Sequence, residues 1–224
     1  MPTSPASARR GRPRGSEAPE LLSIARRMFI AHGYHGTTMD AVAEQAHISK
    51  QSLYRDYPSK DALYSAVVRD WVDRGYDAMR PHAAALAEAR QAREGLLGLA
   101  RVLQAGLLSL PVLQMRTLIA AEAQRFPDVA ADYVTRSWTR NIRMLAEALS
   151  VLTARGLLCV DAPDLAAEQL TWLVIAAPLN RLTLQAGADP YAADELESLA
   201  TQGVTTFLSR YGPEDTDSRP GIPD

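Results

Sequence analysis

From Glu17 the chain takes on helical periodicity, with apolar residues at Leu21, Leu22, Ala25, Met28 and Phe29 spaced by one and two turns. The pattern stops at Gly33, placed to act as a left-handed residue just past the helix end, with Tyr34 as the apolar contact that follows. Residues 37–57 then read as two short helices. Thr37 or Thr38 caps the first, which buries Met39, Val42, Ala43 and Ala46; Ser49 caps the second, which places Leu53 on the same side. Only Ala46, His47 and Ile48 lie between them, so the pair has the helix-turn-helix arrangement. Pro58 ends the second helix and Ser59 caps a third, with Asp61 in its first turn and Leu63, Val67, Trp71 and Met79 along it. This helix is predicted to end near Arg80, before Pro81. From there to about Tyr211 the chain is rich in Ala and Leu, with helical spacing and no strand-like alternation. Breaks at Pro111, Pro127, Gly156, Pro163, Gly187 and Pro190 predict helices near 83–109, 111–126, 127–154, 163–186 and 190–210. The expected fold is all-α, with about nine helices: a three-helix head at 17–64 and a larger helical body at 65–211.

The ends break this pattern. Residues 1–16 hold three prolines and four arginines (Arg9, Arg10, Arg12 and Arg14), with no acid and no periodicity, and read as a flexible basic arm. Residues 212–224 hold three prolines and four acids and read as a disordered acidic tail. Composition fits the periodic part: at 224 residues and 47% hydrophobic, the chain can bury a sizeable core. The longest clean apolar run, Leu173 to Leu179, contains Pro178 and is far short of the roughly 18 residues of a membrane span. Arg26 and Arg27 interrupt any apolar signal-peptide stretch, and the single Cys159 can form no intramolecular disulfide. The expectation is a cytoplasmic protein that does not enter a membrane. Net charge is −2, but residues 1–60 hold nine basic and five acidic side chains, a net of +4, which leaves −6 on the rest. That asymmetry points to a nucleic-acid-facing N-terminal quarter.

A recognition helix enters the major groove with its first residues near base edges. Those residues here are Ser49, Lys50, Gln51 and Ser52. Gln51 suits an adenine edge and Lys50 suits guanine O6 and N7, while the serines serve bases or phosphates. Tyr54, Arg55, Tyr57 and Lys60 suit phosphate oxygens, as do Thr37 and Thr38 at the preceding helix start. The arm arginines, Arg12 and Arg14 among them, suit phosphates or a minor groove. No catalytic residues are expected: nucleophile elbow, phosphate loop and dinucleotide fingerprint are missing from the sequence, and His32, His35, His47 and His82 form no ligand set, so neither metal nor cofactor is expected. A second reading is a helical ligand-binding or protein-interaction module whose head does not bind DNA specifically. Salt separates the two, since phosphate neutralisation makes affinity fall steeply with ionic strength.

These residues carry a resemblance. Ile24-Ala25 through Phe29, His32-Gly33-Tyr34, Gly36-Thr37-Thr38-Met39-Asp40-Ala41-Val42-Ala43, Ile48-Ser49-Lys50, Ser52-Leu53-Tyr54 and Tyr57-Pro58-Ser59-Lys60-Asp61-Ala62-Leu63 resemble the N-terminal domain of the TetR/AcrR regulators. Glu122-Ala123-Gln124-Arg125-Phe126-Pro127-Asp128, Gly156-Leu157-Leu158 and Asp161 through Gln169 resemble the AefR-like C-terminal branch. The resemblance implies a homodimeric transcriptional repressor that binds a palindromic operator in double-stranded DNA and is released by a small-molecule effector held in the body. It places phosphate contacts on Thr38, Tyr54, Tyr57 and Lys60, and base reading on Lys50, Gln51 and Ser52. Two positions depart from the family pattern: His47 stands where the turn usually carries Gly, and Asp56 where His usually precedes the aromatic. His tolerates the left-handed conformation, and Asp56 is placed to orient Arg55. The resemblance selects the last two helices as the dimer face, with Leu170, Leu173, Val174, Ala177, Leu199, Val204 and Phe207 along it; the alternative is that these stripes pack within one chain. For the effector, taken as mostly apolar, Trp71, Met115, Phe126, Trp138 and Trp172 offer lining, and Asn141 and Asn180 offer polar anchors; Gln104, Gln114 and Arg116 are further polar groups on apolar helices.

Overall fold

The computed structural model of the chain describes residues 17–185 and 191–213, and all of their regular structure is helical. The arginines of the expected arm, the acidic tail after Pro213, and Gly187 with Pro190 lie outside the described residues. The chain divides into two compact units, Met1–Asp70 and Trp71–Asp224, a boundary that falls inside a helix rather than at its end.

In the first unit the helix starts are set by small hydroxyl side chains. Helix α1 (Glu17–Gly36) is interrupted at Gly33, whose φ of 68° and ψ of 174° suit a residue without Cβ. Helix α2 (Met39–Gln45) is capped by Thr38, whose hydroxyl accepts from Ala41 N at 3.1 Å. Helix α3 (Lys50–Asp56) is capped by Ser49, which accepts from Ser52 N at 3.1 Å, and α4 (Lys60–Ala87) by Ser59, which accepts from Ala62 N at 3.1 Å. Each cap satisfies one of the backbone donors that a helix start leaves over. Between α2 and α3 His47 takes φ 53°, the left-handed conformation expected there. The core under these helices is Leu21, Ile24, Ala25, Met39, Val42, Ala43, Leu53, Leu63 and Val67, closed by three aromatic rings. Phe29 and Tyr34 stack at 6.0 Å between centroids, and Tyr64 meets both edge-on at 5.4 and 5.5 Å.

The second unit contains α5 (Ala92–Leu107), α6 (Leu110–Glu122), α7 (Pro127–Tyr133), α8 (Arg140–Ala154), α9 (Pro163–Leu184) and α10 (Ala193–Tyr211). A π-helical segment, Val134–Thr139, joins α7 to α8 without a break. The three together form the single helix predicted for 127–154, and counted so the described residues hold nine helices. Helix α9 is central, packed by α5, α8 and α10. Leu96, Leu99 and Leu103 of α5, Leu145, Leu149 and Leu152 of α8, and Val204 and Phe207 of α10 close on Leu170, Val174 and Ile175 of α9. Gln104 is buried among them and donates to the carbonyls of Val174 and Leu196, tying three helices at one side chain.

Two expectations are corrected. Helix α4 does not stop before Pro81 but continues to Ala87, so the helix expected from 83 begins instead at Ala92. Proline removes one helical hydrogen bond, and the buried side chains of Ala83 and Leu86 in the turn beyond it hold the helix regardless. The expected dimer residues also divide. Leu170, Val174, Val204 and Phe207 are at most 1% exposed because they form the chain's own core, and Leu199 is half-buried. Leu173 and Ala177 remain exposed, on the opposite side of α9 with Leu165 and Trp172.

Candidate nucleic-acid interface

The α3 helix rests on the first unit through one side chain. Leu53 is fully buried, Ser52 is half-buried, and Lys50, Gln51, Tyr54, Arg55 and Asp56 are exposed. A seven-residue helix is too short to be stable alone. Its caps, Leu53 and the turn at His47 fix its face in place. Ser49 and Thr38 are exposed at the starts of α3 and α2, where unpaired backbone donors suit an anion. Tyr57 is half-buried; burial, with Asp56 and Asp70 nearby, pushes its hydroxyl above the ordinary tyrosine value.

The charged groups on this face are bonded to the protein. Lys50 Nζ lies 2.6 Å from Asp40 Oδ2 on α2, and that carboxylate raises the lysine above its ordinary value. Arg55 Nε donates to Asp56 Oδ1 at 2.9 Å and its Nη2 to Ser52 Oγ at 3.1 Å, so Asp56 orients the guanidinium, as its position beside Arg55 implies. Lys60 is turned inward. Its ammonium donates to the carbonyls of Tyr34 and Thr37, both at 2.9 Å, and sits 4.3 Å from the centre of the Tyr34 ring, whose hydroxyl bonds Asp61.

The Thr37 side chain is 1% exposed and its hydroxyl donates to the carbonyls of Gly33 and Met28 at 2.8 and 3.2 Å, which leaves only its backbone for a contact at this helix start. Asp40 and Asp61 are partners of Lys50 and Tyr34 that the sequence pattern does not show. No helical spacing links residues ten or twenty-seven apart, and nothing in the sequence pairs Lys50 with Asp40 or Tyr34 with Asp61.

The expected effector residues differ in burial. Met115 is fully buried, Trp71, Phe126 and Trp138 are half-buried, and Asn180 is exposed. Trp138 and Trp172 meet, with ring centroids 4.7 Å apart, but Trp172 is 39% exposed and lines an open groove of about 610 Å³ with Leu165, Leu173 and Arg210. Asn141 donates to Ser137 O in the π-helical segment. Among the described residues two buried side-chain atoms have no hydrogen-bond partner, Arg116 Nε and Asn141 Oδ1. No group of three His, Cys, Asp or Glu among the described residues is placed to hold a metal, and no single helix there is long and apolar enough to cross a membrane.

Residues 21–67 match the bacterial regulatory proteins of the tetR family, and residues 94–213 match the AefR-like transcriptional repressor C-terminal domain. The crystal structure of a TetR-family transcriptional regulator from Mesorhizobium loti is 32% identical, with 88% of this chain and 96% of that one covered and a TM-score of 0.84. The flavonoid-responsive regulator FrrA is 26% identical, covering 88% of this chain and 100% of its own, with a TM-score of 0.67. Among curated proteins, the regulator RutR of Escherichia coli K12 is 39% identical over 67 residues, 30% of this chain and 32% of RutR. The activator FasR of Mycolicibacterium smegmatis is 41% identical over 61 residues, 27% of this chain and 28% of FasR. The chain thus spans about a third of the length of the curated relatives it matches.

Proposed function

The chain belongs to the TetR family of DNA-binding transcriptional regulators, which are not enzymes, and from that premise we propose that it is a homodimeric repressor released from a palindromic operator by a small molecule bound in its second unit. The observation that carries the DNA reading is α3 itself: a helix fixed by Leu53 and Ser49 that turns Lys50, Gln51, Tyr54 and Arg55 to solvent. Gln51, with Lys50 and Ser52, reads base edges, while Thr38, Ser49, Tyr54, Arg55 and Tyr57 grip phosphate. Arg12 and Arg14 add the contacts of the arm. Lys60 positions the end of α1 and keeps one donor for a phosphate.

The dimer is supported by the outer side of α9. The inner side lies in the core, while the outer side leaves Leu165, Trp172, Leu173, Ala176 and Leu184 exposed, interspersed with Glu168, Gln169 and Asn180. Clustered exposed apolar side chains with a polar surround mark an association surface, and a second copy of the same face covers this one with a closed two-fold contact. The effector is supported by Arg116 Nε and Asn141 Oδ1, a donor and an acceptor buried without partners. Arg116 Nε suits an oxygen acceptor, and Asn141 Oδ1 suits a hydroxyl donor, on a largely apolar molecule. FrrA is flavonoid-responsive, so hydroxylated aromatic compounds are the first to test.

Selection of bound duplexes from random DNA, followed by gel-shift titration over salt, tests the reading. A two-fold symmetric enriched sequence and a steep fall of affinity with salt are expected. Failure to enrich any sequence overturns it in favour of a module that binds other partners. A panel of hydroxylated aromatics should include one that raises the melting temperature and weakens the enriched complex. Its effect should shrink in Asn141→Leu.

A further inference from the structure

Helix α6 holds two charged residues, Arg116 in its middle and Glu122 at its last position. The side chains three and four places from Arg116 are Val112, Leu113, Ile119 and Ala120, so the helix itself brings no acid to it. Leu113, Met115, Leu118 and Ile119 beside it are buried. Arg116 is half-buried, and its Nε is sealed from solvent without a hydrogen-bond partner.

The other half-buried arginines among the described residues of the second unit are matched. Arg136 and Arg140 reach Asp73 at 3.3 and 3.0 Å, and Arg181 lies 4.8 Å from the centre of the Tyr191 ring. No described carboxylate lies within 4 Å of Arg116 in the same way. Asn141 Oδ1 does not answer it either, since the two buried atoms leave each other unmet and an amide carries no charge.

A guanidinium stays ionised at any physiological pH, and a cation drawn out of water is costly until an anion meets it. Packing does not ask for the charge, because an apolar side chain of similar length fills the same space. The vacant Nε belongs to the edge of the guanidinium that, with one Nη, receives both oxygens of a carboxylate through parallel bonds. A phenol or an alcohol offers that edge one neutral oxygen and leaves the charge unbalanced.

We propose that Arg116 anchors a carboxylate, so that the effector is an apolar monocarboxylic acid bound as its anion. This rests on the reading of the second unit as an effector-binding unit, and it names the charge that the effector brings.

The probes are cinnamate, para-hydroxycinnamate and decanoate, each beside its own primary amide, on the full chain as wild type, Arg116→Met and Arg116→Lys. Thermal shift and calorimetric titration read binding, and gel shift on the enriched duplex reads release. At least one acid should raise the wild-type melting temperature and bind roughly 10- to 100-fold tighter than its amide, the span of hydrogen bonds to an ionised group. Arg116→Met should bring the acid down to the affinity of the amide and, relieved of an unmatched charge, melt no lower than the wild type without ligand. Arg116→Lys keeps the charge without the fork and should retain a smaller preference for the acid. The proposal is overturned if no acid binds, if acid and amide bind alike, or if the preference survives in Arg116→Met. A clearly lower melting temperature of ligand-free Arg116→Met also overturns it, since Arg116 would then serve the fold. If neutral hydroxylated aromatics weaken the enriched complex where the acids do not, the effector reading stands and the carboxylate at Arg116 is lost. If an acid binds through Arg116 and leaves the duplex bound, the carboxylate site is upheld and release by it fails.

Discussion

Two carbonyls at the end of α1, those of Tyr34 and Thr37, receive the Lys60 ammonium at 2.9 Å each, and the same charge lies over the Tyr34 ring. A helix end leaves carbonyls without helical partners, and Gly33 has already turned the chain out of the helix here. Lys60→Met keeps the aliphatic stem and removes both bonds. It should cost about 1–2 kcal/mol in urea unfolding, measured on the whole chain, the scale of hydrogen bonds to a partly exposed charged group. Unchanged stability with weakened DNA binding would return Lys60 to a purely phosphate-facing role. The residue types around the helix starts told that Ser49 and Ser59 cap, and the family resemblance told that the turn takes a left-handed residue at His47 and that Asp56 meets Arg55; each is decided within a few residues. Thr37 and Lys60 have internal bonds that were not legible, for the opposite reason. Both sit where a helix start could meet phosphate, and the carbonyls that claim them are fixed by tertiary packing, across up to 26 residues in the case of Lys60.

Between elements in the second unit, α10 approaches α9 backbone to backbone at Gly203. A Cβ built on Gly203 would stand 3.0 Å from Val174 Cγ1 and 3.1 Å from the carbonyl oxygen of Leu173, so the α10 backbone rests on the α9 backbone. Gly203→Val has no flexible neighbour to displace and must push the two helices apart. The cost should be about 1–3 kcal/mol, with a fall in melting temperature of roughly 2–4 °C for each kcal/mol in a chain of this size. Circular dichroism melting checks it, and a variant that melts with the wild type would mean that the helices are not packed so closely. Periodicity revealed the helices themselves, since apolar faces of α5, α8, α9 and α10 all recur at helical spacing. It could not reveal the π-helical segment at 134–139, which adds one residue to a turn without stopping the pattern, nor the side chains that fasten it. Asp73 of α4 accepts from Arg136 at 3.3 Å and Arg140 at 3.0 Å, and Arg140 lies 3.5 Å from the centre of the Tyr76 ring. That clamp depends on how α4 passes the wider turn. Pro81 shows the same limit from the other side: a residue that disfavours helix locally is carried through one by Ala83 and Leu86 beyond it.

For the whole molecule, the proposed dimer turns on which face of α9 a second copy would meet. Leu170 and Leu173 lie on the same helix, three residues apart, and the apolar pattern alone treats them alike. Packing separates them: Leu170 is fully buried and Leu173 is 41% exposed. Leu170→Ala should therefore lower stability by about 2–5 kcal/mol, as a cavity in the chain's own core does, and affect assembly only through that loss. Leu173→Glu should leave the helix content unchanged and put a carboxylate, on each copy, into a patch that a stable dimer must keep apolar. Sedimentation equilibrium should find the wild-type chain dimeric and Leu173→Glu monomeric. Loss of the second head then removes the gain from simultaneous engagement of two half-sites about 34 Å apart, so affinity for a symmetric operator should fall by roughly 10²- to 10⁴-fold. A single half-site should be bound as before. Residues 1–60 carry +4 and the remainder −6, and pairing two chains doubles the positive charge available to meet DNA. A Leu173→Glu chain that remains dimeric would move the interface off the outer face of α9, and the exposed Leu165, Trp172 and Leu184 would then need a different partner.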